Sequence, residues 1–293
     1  MKRTKIYMFF AIFIIGISFA THLFAEDARE IMQKVIDRYD GTTQISRQKL
    51  STCRYVKRGK KIVCGETPRI KVIETVKKDY GPKERDHKSI MIILDPSGER
   101  GVGFLQYDYD NPERDTDQWM YLSALGKLKR LVSGSNNEPK QGSLFGTEFS
   151  TEDVEAMRLD DYTYRIMKSE TYHQRPCWVI EITPTPTRFR KSNYSRHIVW
   201  ADKERFIILK VILFNRQGKR VKRITNRKIV QIDGVWVARQ IHLNNLETRR
   251  MTTLSMEAIA FNIPVENSFL RKRTLTDRAF REGKLRELRR YLK

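Results

Sequence analysis

The chain has 293 residues, of which 57 are Lys or Arg and 35 are Asp or Glu, so its formal charge is +22 at pH 7. A chain of this length can bury a full core as one large domain or two small ones. The excess of cations excludes a neutral surface and indicates an anionic partner, of which nucleic acid is the first to consider in a cytosolic protein.

The first 25 residues have the three parts of a secretory signal. Lys2, Arg3 and Lys5 form the charged start, an apolar run extends from Tyr7 to Ala20, and Ala25 offers a small residue for cleavage. The run is shorter than the roughly 20 residues of a membrane-spanning helix, although an uncleaved anchor is the alternative. No cysteine follows it directly, so we expect no lipid attachment. The prediction is export to the periplasm with cleavage near Ala25.

The predicted export changes which partners the positive charge indicates. Removal of the three signal cations lowers the formal charge from +22 to +19. Nucleic acid is not an expected partner outside the cytoplasm, whereas an anionic membrane surface or an acidic protein is. The alternative is that the charge serves only to keep the protein dissolved.

Two of the three cysteines lie in a predicted hairpin. Cys53 and Cys64 belong to two strand-like runs that flank Arg58-Gly59-Lys60, and facing strands would bring them close enough for a disulfide in an oxidising compartment. Cys177 stands next to Trp178 in an apolar run and is predicted to be a buried free thiol.

After the signal, the pattern predicts one helix and then mainly strands. Asp27 to Tyr39 reads as a helix with Ile31, Val35 and Ile36 on one stripe, and Asp40-Gly41 ends it. Eleven runs rich in β-branched and aromatic residues follow, and turn signals between them predict an antiparallel, meandering sheet. These runs are residues 70–76, 89–95, 101–109, 118–122, 162–167, 177–183, 196–201, 206–214, 220–230, 235–243 and 252–261.

Some of these strands are apolar on both faces. Residues 90–94, 206–209 and 211–214 do not alternate, so both sides of the sheet must be dry in places. One side could face a core and the other a cavity or a plug. A sandwich with one ordinary core and a curved sheet that encloses an apolar ligand both explain this pattern.

Two further helices are predicted from capping signals. Ser150-Thr-Glu-Asp153 has the pattern of a capping box and opens a short helix. From Thr274 the device recurs with Asp277, and Leu275, Ala279, Leu285, Leu288 and Leu292 form a rough stripe among many cations. We expect this basic helix to dock on the protein, the alternative being a membrane interface.

No motif in the sequence calls for catalysis. There is no G-x-S-x-G elbow, no H-E-x-x-H, no Walker loop and no cysteine pair at zinc spacing, and the histidines after the signal are scattered. The sequence therefore predicts that the protein is not an enzyme and uses no metal or cofactor.

Cations are concentrated in one predicted hairpin. They lie on both faces of the strand after residue 219, so we predict an exposed or edge strand. Its surface is either edge protection or a basic docking patch for anionic head groups or an acidic partner. The patch comprises Arg216, Lys219, Arg220, Lys222 and Arg223.

Residues 115–155 resemble the outer membrane lipoprotein-sorting (LolA-like) proteins, in the longer bacterial subfamily often encoded near RND/MMPL-type exporters. The match is carried by Trp119-Met-Tyr-Leu122, the basic Lys127-Leu-Lys-Arg130, Phe145-Gly-Thr-Glu-Phe-Ser150 and Glu152-Asp153. The resemblance implies a mainly β fold: a strongly curved, incompletely closed antiparallel β-barrel, covered by helices and enclosing an apolar cavity. It extends over residues 26–262, which leaves 263–293 as a basic C-terminal helical extension.

The same resemblance implies a lipid site. On that model either Trp119 and Tyr121 or Met120 and Leu122 point inward, depending on the register of the strand, and Leu144, Phe145 and Phe149 border the mouth of the cavity. The residues assigned to lipid contact are Trp119, Tyr121, Leu122, Phe145 and Phe149, and their alternative role is ordinary core.

The expected function is that of a periplasmic carrier. It would bind acyl chains of a lipoprotein or lipid for transfer towards the outer membrane, with an RND/MMPL-type inner-membrane exporter as an implied partner. Affinity would come from burial of acyl chains at about 0.8 kcal/mol per CH₂. The alternative is a regulatory module that binds a segment of a membrane protein and carries no lipid; an enzyme acting on lipid is a third option.

Overall fold

The computed structural model describes residues 27–59, 61–131 and 138–292, so the predicted export signal and its cleavage site at Ala25 lie outside the described residues. Within these ranges the chain forms four α-helices, several single 3-10 turns and fourteen strands. The helices are α1 (Ala28–Ile36), α2 (Pro186–Lys191), α3 (Lys272–Thr276) and α4 (Arg278–Leu288). The strands are β1 (Thr43–Arg58), β2 (Lys61–Cys64), β3 (Arg69–Tyr80), β4 (Asp86–Asp95), β5 (Gly103–Asp108), β6 (Asp117–Leu122), β7 (Lys127–Leu131), β8 (Tyr162–Tyr172), β9 (Arg175–Pro184), β10 (Tyr194–Asp202), β11 (Ile208–Asn215), β12 (Arg220–Ile232), β13 (Val235–Asn245) and β14 (Arg250–Phe261).

All the strands belong to one antiparallel sheet. Neighbours follow the order β7-β6-β5-β4-β3-β1-β14-β13-β12-β11-β10-β9-β8, and β2 pairs with the end of β1. The chain thus makes two meanders that meet at β1, which pairs with β3 on one side and with β14 on the other. The sheet is curved, and it is not closed because it ends at β7 and β8. This is the architecture that the resemblance implied, and it is not a two-sheet sandwich.

This topology explains how one face of the sheet is covered. The connection from β7 to β8 joins opposite edges, so it has to cross a face. The described part of it, residues 138–161, packs over the side that carries Phe104 and Met120, which we call the loop face. Helix α1 packs on the same side near β8.

The opposite side, which carries Leu105 and Trp119, is called the tail face. Residues 263–292 cover it over β3 to β6, where Leu275 and Leu285 join the core formed by Ile92 and Leu105. Both faces of β4 are therefore dry, because the tail closes one and the crossing connection closes the other. The tail thus acts as a plug over β4, whereas Leu209, Ile212 and Phe214 of β11 pack in a separate cluster that contains no tail residue.

The first helix begins where the sequence predicts but is shorter than predicted. The Asp27 carboxylate accepts a hydrogen bond from the Arg29 backbone N–H, and Ile31 and Val35 are buried. Helix α1 nevertheless ends at Ile36, three residues before the predicted end, because the chain turns there towards β1.

The C-terminal helix docks on the sheet. The Asp277 carboxylate caps α4, and Leu275, Leu285 and Leu288 are buried against the tail face. Ala279, which was predicted to share this stripe, is exposed. Docking is thus the observed arrangement of this basic helix.

The predicted hairpin and disulfide are confirmed. Strand β2 pairs antiparallel with the end of β1, and Cys53 and Cys64 form a disulfide with their Cα atoms 5.7 Å apart. Cys177 is a free cysteine with 1% exposure, and burial raises the pKa of its thiol.

The sequence predicts that residues 220–230 form an exposed or edge strand; the edge position is wrong, although Arg227, Lys228 and Val230 are exposed. Strand β12 lies between β11 and β13, and the sheet ends at β7 and β8 instead. A strand with cations on both faces is tolerated inside the sheet because Lys222 is paired with Asp153 on the loop face. On the tail face, Arg223 and Arg227 line a groove.

Candidate functional site

The loop face under the crossing connection holds the apolar residues that are closest to the predicted lipid site. Leu144, Phe145 and Phe149 are buried there and pack with Phe104 and Met120 of the sheet. Two backbone hydrogen bonds shape this segment: Leu144 N–H donates to the Phe149 carbonyl at 2.8 Å, and Thr147 N–H to the Leu144 carbonyl at 3.1 Å. We call residues 144–149 the apolar loop.

The apolar loop has an unusual backbone. Phe145 has φ +54°, in the left-handed region, although it is an aromatic residue. An L residue with a Cβ takes this conformation at a cost on the order of 1 kcal/mol. The phenyl ring of Phe145 is only 6% exposed, so burial of the ring offsets the cost of this backbone conformation.

A polar anchor fixes the apolar loop to the sheet. The Glu148 carboxylate accepts hydrogen bonds from Arg250 Nε at 3.0 Å, Asn245 Nδ2 at 2.9 Å and Thr248 Oγ1 at 3.1 Å. The Glu148 backbone N–H donates to Thr252 Oγ1 at 3.0 Å. This anchor is at the rim of the loop face and makes no use of the apolar surface beneath.

A second anchor follows in the same connection. The predicted capping box exists: Ser150 N–H donates to Asp153 Oδ2 at 2.7 Å and Asp153 N–H to Ser150 Oγ at 3.3 Å, but the helix is a single 3-10 turn, Glu152–Val154. Lys222 donates to the Asp153 carboxylate at 2.5 Å, and the Tyr194 hydroxyl donates to it at 2.6 Å. Burial and the Asp153 charge raise the pKa of Tyr194.

His197 lies beside this anchor, between the rings of Tyr162 and Tyr194. Burial, with a further contribution from the positive charge of Arg188, lowers the pKa of His197 to about 4. The imidazole is therefore neutral near pH 7. Arg188 itself is paired with Glu152 and Glu155, at 3.2 and 3.1 Å.

Part of the loop face is polar and buried. Gln118 Nε2 donates to Gln106 Oε1 at 2.8 Å and to the Thr151 carbonyl at 3.0 Å, and Gln106 donates to Asp108 at 2.7 Å. Burial raises the pKa of Asp108. These buried polar side chains lie beside the apolar patch that the apolar loop covers, and they limit the patch on that side of the loop face.

The structure divides the predicted lipid-contact residues between the two faces. Trp119 and Tyr121 lie on the tail face, where the Trp119 ring is 5.1 Å from that of Tyr107 and is covered by Lys272. Phe145 and Phe149 lie on the loop face, and Leu122, at the end of β6, is 37% exposed. One acyl chain cannot contact both pairs without crossing the sheet.

The predicted basic docking patch is divided in the same way. Arg216 and Arg220 are exposed at the hairpin and lie over the rings of Phe189 and Phe214. The side chain of Lys219 is 71% exposed, whereas Lys222 is buried in its ion pair on the loop face. Arg223 points to the tail face, so these five residues do not form one surface.

A cationic groove that the sequence did not predict lies on the tail face beyond the C-terminal helix. It measures about 750 Å³, and β11 to β13 form its floor while the β1–β2 hairpin forms one wall. We call it the basic groove. Its cations are Lys57, Lys61, Lys210, Arg223 and Arg227. The even spacing of residues 223 and 227 indicates that they share one face of a strand. The hairpin that completes the groove is distant in sequence, so the groove itself was not predictable.

In the described ranges, no helix is long and apolar enough to cross a membrane. Nor do the residues that the structure describes include three His, Cys, Asp or Glu side chains grouped so that they could hold a metal ion.

The fold and parts of the sequence are found in other proteins. A family model described as an uncharacterized protein matches residues 85–277. No curated protein matches the chain.

Several solved structures are similar to this one. A DUF1329 family protein from Desulfovibrio piger has a TM-score of 0.73 and 20% identity, with 85% of this chain and 97% of that chain covered. An outer membrane lipoprotein-sorting protein domain from Vibrio parahaemolyticus has a TM-score of 0.73 and 24% identity, over 85% and 98% of the two chains. A LolA superfamily protein from Nitrosomonas europaea has a TM-score of 0.60 and 16% identity, over 85% and 99%. At these identities the likeness shows the fold.

Proposed function

Because this chain belongs to the family of uncharacterized proteins whose model matches residues 85–277 and has the fold of the LolA superfamily, we propose that it is a periplasmic carrier of acyl chains. Its cargo would be a lipid or a lipoprotein that moves towards the outer membrane. The relative from Vibrio parahaemolyticus is described as a lipoprotein-sorting domain, which supports this class of cargo. The predicted export signal supports the compartment.

The observation that carries the proposal is the apolar loop. Leu144, Phe145 and Phe149 cover an apolar patch on the loop face, and the loop does so in a backbone conformation that is unfavourable at Phe145. It is fixed by polar contacts of Glu148 at the rim. We propose that the loop occupies the acyl site when the carrier is empty and swings out when an acyl chain takes its place.

The energetics allow such an exchange. An acyl chain gains about 0.8 kcal/mol for each CH₂ group that it buries, so a chain of ordinary length exceeds what burial of the three loop side chains contributes, roughly 2 kcal/mol each. The contacts of Glu148 with Arg250 and Asn245 oppose this exchange, because the Glu148 side chain is only 10% exposed; their loss costs on the order of 3 kcal/mol, which the remaining burial of the acyl chain has to exceed.

The proposal assigns acyl contact to the loop face. Phe104 and Met120 would form the floor of the acyl site, and Phe145 and Phe149, which cover this floor in the empty carrier, would be displaced to its edge. Trp119 and Tyr121 are left to the tail-face core, and Leu122 to the exposed end of β6. A role as accessory to an RND/MMPL-type exporter is proposed on the resemblance of residues 115–155 alone.

The test is photolabelling of delipidated protein with palmitate that carries a diazirine near its methyl end. We expect saturable labels on Phe104, Met120 or the apolar loop, as mapped by peptide mass spectrometry. Labels confined to tail-face residues such as Leu105 and Leu285, or no saturable labelling, would contradict the proposal. Neighbouring residues of β5 face opposite sides, so residue-level mapping distinguishes the faces.

A matched pair of variants tests the exchange itself. Phe145→Ala weakens the occupant of the site, so the affinity for a fluorescent fatty acid should rise severalfold. Leu285→Ala truncates a residue of similar burial on the tail face and should leave this affinity unchanged. Lower affinity in Phe145→Ala would show that the ring is a direct ligand and does not stand in for the cargo.

A further inference from the structure

The basic groove on the tail face has no role in the carrier site, which lies on the other side of the sheet. Its five cations are Lys57 and Lys61 from the hairpin and Lys210, Arg223 and Arg227 from the floor, and no carboxylate lines it. Register confirms the floor: Arg223 faces Asn244 and Ile212, and Arg227 faces Gln240. Two hairpins distant in sequence, β1–β2 and β11–β12, thus converge on one concave surface.

These cations are not neutralised. In the described part of the chain, none of the five has a carboxylate within salt-bridge distance, whereas buried or half-buried cations elsewhere do, such as Lys222 with Asp153 and Arg250 with Glu148. Lys210 and Arg223 are half-buried, and Lys57, Lys61 and Arg227 are exposed around them. Like charges this close repel, most strongly at the two half-buried cations, where the dielectric constant is reduced. The groove therefore has an excess of positive charge that a bound anion would neutralise.

The electrostatic consequence is visible in two titrating groups. Burial, together with the positive charges of Arg223 and Arg220, lowers the pKa of Lys210, although Glu170 opposes the effect. Burial also lowers the pKa of His242, with Arg227 and Lys228 contributing. Both shifts would be reversed in part by an anion in the groove.

The groove also has hydrogen-bonding groups that lack partners. Arg223 Nε is buried and, among the described residues, makes no hydrogen bond. Asn244, which is 4% exposed and lines the same groove, has an unpartnered Oδ1. Buried polar groups are nearly always satisfied in folded proteins, so these two atoms are available to hydrogen-bond a ligand in the groove.

We infer that the basic groove binds a multiply charged phosphate group. Arginine presents a planar fork that matches phosphate oxygens, and the lysines add point charges around it. Five cations suit a phosphomonoester or a diphosphate better than a carboxylate, which carries a single charge. The volume of about 750 Å³ lies in the usual range for a small-molecule site.

The disulfide stabilises one wall of the basic groove. Cys53–Cys64 closes the β1–β2 hairpin, and that hairpin contributes Lys57 and Lys61 to the wall of the groove. The cross-link holds two cations over a floor of like charge, where repulsion would otherwise move the hairpin outward. Reduction of the disulfide should therefore weaken anion binding before it affects the rest of the sheet.

The test uses two probes, inorganic pyrophosphate in calorimetry and vesicles that contain phosphatidic acid, whose head group is a phosphomonoester, in flotation, with phosphatidylcholine vesicles as the neutral reference. The groove variant is Arg223→Gln with Arg227→Gln. The control is Arg216→Gln with Lys219→Gln, which removes the same charge from the same hairpin at exposed positions outside the groove. Thermal unfolding of both variants establishes that they are folded.

We expect the groove variant to bind pyrophosphate at least tenfold more weakly than the natural protein and the control to change less than threefold. Vesicle binding that pyrophosphate displaces identifies a lipid head group as the source of the phosphate, whereas pyrophosphate binding without vesicle binding identifies a soluble phosphate compound. The inference is overturned if the natural protein binds neither probe or if both variants lose affinity equally.

Discussion

The Lys222 ammonium and the Asp153 carboxylate lie 2.5 Å apart on the loop face, where they join the crossing connection to the middle of the sheet. The side chain of Asp153 is 1% exposed and that of Lys222 is 11% exposed. A pair this enclosed fixes the position of residues 150–154, because removal of either partner leaves a buried charge alone.

Lys222→Met should lower the free energy of unfolding by about 3 kcal/mol, since the Asp153 carboxylate then keeps the Tyr194 hydroxyl and the Ser150 backbone N–H as its donors. Urea denaturation followed by tryptophan fluorescence measures the change. Lys219→Met, in the same hairpin but exposed, should cost less than about 0.5 kcal/mol. Equal effects of the two substitutions would show that the ion pair contributes nothing.

His197 predicts a pH dependence of stability. Its pKa is about 4 in the folded protein and about 6.5 in an unfolded chain, so the unfolded state binds the proton more tightly. The contribution of the neutral His197 ring to the free energy of unfolding is complete above about pH 6.5 and is lost as the pH falls towards 4. We expect a loss on the order of 2 kcal/mol, which is less than full burial would give because the ring keeps some exposed surface. The comparison of natural protein and His197→Gln should show a flatter profile for the variant between pH 6.5 and 4, whereas His173→Gln at an exposed position should retain the full slope.

Gly103 is predicted to tolerate no side chain. A Cβ at this position would lie 2.5 Å from Leu275 Cδ2 and 2.8 Å from Ile92 Cδ1, so Gly103→Ala should destabilise the protein by about 2 kcal/mol through overpacking. Gly98→Ala, where no atom lies within 4 Å of the added Cβ, is the control. In a Leu275→Ala background the cost of Gly103→Ala should fall below about 1 kcal/mol; an unchanged cost would place the strain elsewhere.

Docking of the C-terminal helix predicts a strong effect at Leu285. This residue is 1% exposed within the tail-face core, and Leu285→Ala should cost about 3 kcal/mol in the free energy of unfolding. Leu125→Ala, at a leucine with 63% exposure, should cost less than about 0.5 kcal/mol. If Leu285→Ala unfolds at the same urea concentration as the natural protein, α4 does not contribute to the fold.

Much of the fold was predictable because apolar alternation and turn residues act locally. All eleven predicted runs overlap separate strands, and the disulfide followed from two cysteines on either side of a turn. Strand β7 was missed because Lys127-Leu-Lys-Arg-Leu131 is mostly charged and exposed. The first half of β1 was read only as generally strand-like, since polar residues such as Ser46 and Gln48 point into the loop face and are buried there.

The candidate sites were less predictable because they depend on which face each residue occupies. Alternation shows that Trp119 and Tyr121 share a face, but it does not relate that face to Phe145, which lies on a connection between two edges of the sheet. The same limit applies to Lys222 and Arg223, which are adjacent in sequence and face opposite sides. Only the strand order, which long-range pairing determines, resolves these relationships.

The two ends of the open sheet have a consequence for how molecules of this protein meet. At one end, β7 presents Lys127, Lys129 and Arg130 within five residues, and of these Arg130 is paired with Asp117. At the other end, Arg165 and Lys168 of β8 are paired with Glu181 and Glu170. An unpaired strand can serve as a template for a strand of another chain, and positive charge along it makes that approach repulsive. Two copies that meet through their β7 edges therefore bring like charge against like charge, and a rise in ionic strength would weaken this barrier within a Debye length of about 10 Å at 0.1 M salt.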